Sequence, residues 1–171
     1  MSRFVQPEDF TGKYAISQDN FTEDDLQEYL DKYEDEYLCD LLGADLFALF
    51  IADFSAGPPI VFSEARFTKI FESFKIDDDD LLVRSDGMKE MLLGLIYFEY
   101  VRDQVAQNTV SGPVKPAKSI SEQADTSALE IMNRYNIGIT TYQAIRWFIL
   151  DEKPEDYPEE NSQFLSHASG L

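Results

Sequence analysis

The stretch DGMKEMLLGLIYFEYVRDQVAQ, residues 86–107, decides the fold class. Met88, Met91, Leu92, Leu95, Ile96, Phe98 and Val101 fall on more than one face of a helix. A helix that is apolar on several sides must be surrounded by other elements, so this one is expected at the centre of a helical core.

Reading toward the N-terminus, Thr22-Glu23-Asp24-Asp25 has the form of a helix start: a Thr cap, acids in the positive first turn, and an acid three residues after the cap. Leu26, Leu30, Tyr33, Tyr37 and Leu41 then form one apolar stripe. Gly43 interrupts it, Ala44 to Phe54 resumes it, and Gly57-Pro58-Pro59 ends it, which fits a helix-turn-helix or a single bent helix. Ile60-Val61-Phe62 reads as a short extended piece. Ser63 is placed to cap a brief helix running through Phe74, with Phe67, Ile70, Phe71 and Phe74 on one side. Asp77-Asp78-Asp79-Asp80 reads as an acidic loop or a helix start. Residues 1–20, interrupted by Pro7 and Gly12, read as an extended arm bearing Phe4, Phe10 and Tyr14, of the kind that docks on a neighbour.

Reading toward the C-terminus, Asn108 to Lys118 is β-prone, turn-rich and locally basic, and is expected as an exposed hairpin or long loop. Ser119 or Ser121 opens a last helix with Ala128, Ile131, Met132, Tyr135, Ile139, Tyr142, Ile145 and Ile149 on its apolar stripe and a kink expected at Asn136 to Gly138. Past Asp151 the chain becomes an acidic tail containing Tyr157, Phe164 and Leu165. The expected fold is therefore mainly α: a bundle of about four helices over residues 21–150, with an exposed β-hairpin-like loop at 108–118 and extended termini at 1–20 and 151–171.

Charge narrows the function. With 33 Asp and Glu against 14 Lys and Arg, the net charge is -19, and such a chain repels a phosphate backbone, whose non-specific binding depends on Lys and Arg displacing counterions. The same acidity suits a protein that surrounds DNA without gripping it, or one that meets a basic partner. No uncharged apolar run approaches the roughly 20 residues of a membrane span, and Met1 to Phe10 lacks the basic and apolar regions of a secretory signal. A lone cysteine, Cys39, reads as a small buried hydrophobe. Synthesis in a cytoplasm is the expectation.

Catalytic chemistry finds few ingredients. His167 is the single histidine and lies in the tail, far along the chain from Cys39, so neither a nucleophile–histidine pair nor a zinc site is expected. Gly57-Pro58-Pro59 lacks phosphate-loop spacing. Asp77 to Asp80 is the best candidate for a hard cation, yet it lacks the alternation of a calcium loop and reads first as a solvated acidic face. No enzyme activity, cofactor or metal is expected.

Against this background, Leu41-Leu42-Gly43-Ala44-Asp45-Leu46-Phe47, Leu95-Ile96-Tyr97-Phe98-Glu99-Tyr100, Thr109-Val110-Ser111-Gly112-Pro113-Val114, Ser121-Glu122-Gln123-Ala124 and the closing helix follow one another in a familiar order. The chain resembles, over roughly residues 21–150, the head-tail connector or neck-ring proteins of tailed bacteriophages, including those of crAss-like and other Bacteroidota phages. The stretch from Phe62 to Asp80 and the acidic tail depart from that pattern. The resemblance implies a virion protein at the capsid–tail junction, made in the bacterial cytoplasm. It implies a homo-oligomeric ring, often twelvefold, between the portal protein and adjacent neck or tail rings, with DNA passing through the lumen. On this reading Thr109, Val110, Val114, Lys115 and Lys118 meet the next subunit or the portal. Tyr157, Phe164 and Leu165 anchor the tail to a neighbour, and Asp77, Asp78, Asp79 and Asp80 face the channel or solvent. The alternative is an acidic helical regulator, a DNA mimic or host-factor binder, acting as a monomer or dimer.

Overall fold

Burial of residues 88–100 on several sides organises the core. In the computed structural model, which describes residues 3–16, 23–55, 59–78, 81–110 and 118–159, these residues belong to helix α4, Met88–Val110. Met88, Met91, Leu92, Leu95 and Ile96 are fully enclosed, and Leu93, Tyr97 and Tyr100 nearly so. Helix α1, Glu23–Leu42, packs on one side of α4, and helix α5, Lys118–Trp147, lies along it. Helix α2, Ala44–Asp53, packs on α1. The fold is mainly α, as the periodicities require.

Between α1 and α2 the chain turns at Gly43, whose φ of 73° lies where only glycine is at ease. Its N–H closes α1 on the Cys39 carbonyl at 2.8 Å and its carbonyl accepts the Phe47 N–H at 2.9 Å, so the stripe is interrupted by a tight corner. Beyond α2, strand β1, Phe54–Ser55, pairs antiparallel with β2, Val61–Phe62. Helix α3, Ala65–Phe71, follows with Glu64 at its N-cap and no side-chain capping bond. Phe74 leaves this helix and instead opens strand β3, Phe74–Asp78, which pairs antiparallel with β4, Leu81–Ser85. Strands β3 and β4 thus pair within the stretch read as a brief helix and an acidic loop.

The expected hairpin-like loop at 108–118 falls for the most part, residues 111–117, outside the described residues. Thr109 and Val110 end α4 and Lys118 begins α5, so a helix claims both shoulders of the segment. Val114 and Lys115 lie outside the described residues. The expected kink at Asn136 to Gly138 is absent: α5 is continuous and gives way only after Trp147 to a π-helical turn, Phe148–Glu152. Gly138 serves a different purpose, a close approach to α4. A Cβ there would lie 3.1 Å from the Leu95 side chain, and one on Gly94 would lie 2.9 Å from the Arg134 carbonyl. The two glycines face each other at the crossing of α4 and α5.

The N-terminal arm is spent within its own chain. Phe4, Val5, Phe10 and Tyr14 are buried, with short 3-10 turns at Pro7–Asp9 and Gly12–Tyr14. Phe4 sits 5.5 Å from Phe50, 4.8 Å from Phe54 and 5.5 Å from Phe71, centroid to centroid, in a cluster completed by Phe62 and Phe67. Among the described residues no helix is long and apolar enough to cross a membrane.

Candidate functional site

A rigid frame underlies the face that carries the site. Along α1, Tyr29 and Tyr37 reach across to α4, the first donating to Asp103 at 3.0 Å and the second to Glu99 at 2.9 Å. Arg102 bridges both acceptors. Tyr14 of the arm likewise donates to Glu90 at 2.9 Å. Burial and the carboxylate acceptor both resist loss of these phenolic protons: Tyr29 is pushed up to about 12, and Tyr14 and Tyr37 are raised further.

The arm is latched by Glu34, almost wholly buried, whose Oε1 accepts the Arg3 N–H at 2.6 Å and whose Oε2 accepts those of Phe4 and Val5 at 3.1 Å each. Burial raises this carboxyl, and the three amide donors oppose the rise. At the opposite end of the chain, Tyr157 is enclosed and donates to the Arg66 carbonyl at 2.7 Å, while Arg66 pairs with Glu159. Burial raises the Tyr157 hydroxyl as well. Tyr157 was expected to anchor a neighbour; its ring instead packs on Phe148 of its own chain, because an aromatic in an acidic stretch gains most by the nearest apolar cleft.

Among the described residues, exposed large apolar side chains stand on α5 and the β3–β4 hairpin, besides Leu49 of α2 and Val61 of β2. Leu129 and Met132 of α5 are 66 % and 46 % exposed, and Leu82 of β4 is 65 % exposed. Positions 129, 132, 133, 136, 137 and 140 follow helical spacing, so Leu129 and Met132 stand on the same face of α5 as Asn133, Asn136, Ile137 and Thr140. That face borders a cleft of about 470 Å³ whose other wall is Arg84 and Asp86 of the hairpin side. A second cleft, lined by Leu82, Arg84 and Lys75 with Phe74, continues it across the hairpin.

Strand register explains the hairpin's contribution. Asp77 pairs with Leu82 and Lys75 with Arg84, while Phe74 and Ile76 alternate to the half-buried side with Val83. Two cations directly opposite each other repel. Each is drawn to an acid two residues along its own strand, Lys75 to Asp77 at 2.7 Å and Arg84 to Asp86 at 2.8 Å. The outer face thus carries Leu82 among ion-paired side chains, Lys75 with Asp77 and Arg84 with Asp86.

The expected site residues are distributed differently. Asp77 is exposed near the end of β3 and Asp78 closes that strand, while Asp79 and Asp80 lie outside the described residues. Phe164 and Leu165 also lie outside them. Among the described residues no cluster of His, Cys, Asp and Glu is arranged to hold a metal. Leu82 and Leu129 were not singled out from the sequence, although signals for both are present. Leu129 is an apolar residue adjacent to, and off, the α5 stripe. Phe74-Lys75-Ile76-Asp77 alternates with period two, and pairing that alternation with Leu82-Val83-Arg84 turns Leu82 outward.

No protein-family model matches the chain, and no curated protein or solved structure matches it significantly.

Proposed function

We propose that the protein is a structural subunit of a bacteriophage neck, assembling into a ring that joins the portal of the capsid to the tail and surrounds the DNA path. The observation that supports this reading is the exposure of Leu129 and Met132 on one face of α5 and of Leu82 on β4, on the two elements that wall an open cleft, since exposed apolar residues gathered about a cleft suit a protein contact. The net charge of -19 supports a role next to DNA without adhesion to it. The sequence resemblance to neck-ring proteins supplies the viral context.

Electron microscopy of the purified chain, alone and mixed with a portal ring, tests the proposal. Closed rings, or a ring seated on the portal, are expected, together with no retention on double-stranded DNA at physiological salt. A discrete monomer or dimer that captures a basic DNA-binding protein would instead identify the acidic regulator.

A further inference from the structure

No further inference is drawn: the strongest candidate, the cleft between α5 and the β3–β4 hairpin with Leu82, Leu129 and Met132 exposed on its walls, carries nothing beyond the contact already proposed, because Lys75 and Arg84 beside it are paired with Asp77 and Asp86 of the same hairpin side and nothing in the structure shows what covers it.

Discussion

Glu34 shows how much one side chain can hold in this molecule. It satisfies three consecutive backbone N–H groups that would otherwise be enclosed without a partner. Glu34→Gln replaces one acceptor oxygen with an NH2 group facing those donors, and is expected to lower unfolding free energy by about 1–3 kcal/mol in urea titration. Asp35→Asn, which removes the exposed partner of Arg3, should change it by less than about 1 kcal/mol. A reversed order would show that the latch is the surface ion pair. The tyrosines set the alkaline limit. Tyr14, Tyr29, Tyr37 and Tyr157 all hold their protons above the ordinary tyrosine value in the folded state. A raised value of this kind contributes stability that is complete below about pH 10 and is lost as pH climbs toward the folded values, by about 1.4 kcal/mol per pH unit for each tyrosine. The phenolate absorbance of these four tyrosines should therefore appear together with unfolding above pH 10. Titration of all the tyrosines near 10 with the helices intact would contradict the hydrogen-bonded seam.

At the scale of elements, the decisive contact is the crossing of α4 and α5. Gly94→Ala gains about 1 kcal/mol of helix propensity. It also places a Cβ 2.9 Å from the Arg134 backbone carbonyl, where relief requires the helices to part, a cost of about 1–3 kcal/mol. The packing cost outweighs the propensity gain, so the variant should melt below the wild type. Gly138→Ala should be milder, because its Cβ would meet the Leu95 side chain at 3.1 Å and the Met91 carbonyl at 3.2 Å, both longer than the 2.9 Å approach at Gly94. Equal or raised melting temperatures for Gly94→Ala would mean that the two helices do not cross so closely. This crossing also marks the boundary of what the sequence conveys. The apolar periodicity of 86–107 and of 22–54 was legible because burial on a fixed face repeats in the chain itself. Whether Gly138 breaks a helix or admits a neighbour depends on what stands opposite, and Gly94 is far away in sequence. The β3–β4 pairing was hidden for a related reason. Phe74 to Asp78 and Leu81 to Ser85 are two short alternating runs, each too brief to declare a strand until the other stands beside it. Leu82 became visible as a site residue only once register fixed its direction. Aromatics at both ends suggested reach toward a neighbour, yet Phe4 and Tyr157 found partners closer at hand.

For the whole molecule, charge and assembly oppose each other, and distance decides when. A surface of 10755 Å² bearing 19 net negative charges has one for each roughly 570 Å², a mean spacing of about 24 Å, longer than the Debye length of about 8 Å at physiological salt but shorter than the 30 Å or so at 0.01 M. At low salt every copy therefore repels the next over its whole approach, while at physiological salt only charges near the contact still act. Apolar association of Leu82, Leu129 and Met132 is insensitive to that screening, and the few cations on the hairpin face are already shared with Asp77 and Asp86. Assembly should accordingly strengthen as sodium chloride rises from about 10 to 150 mM and change little above that, since screening is then nearly complete at the mean charge spacing. An interface held chiefly by ion pairs behaves in the opposite way and weakens throughout. Sedimentation velocity across a salt series separates the two, and dissociation with increasing salt would assign the subunit contact to charges rather than to the exposed apolar faces.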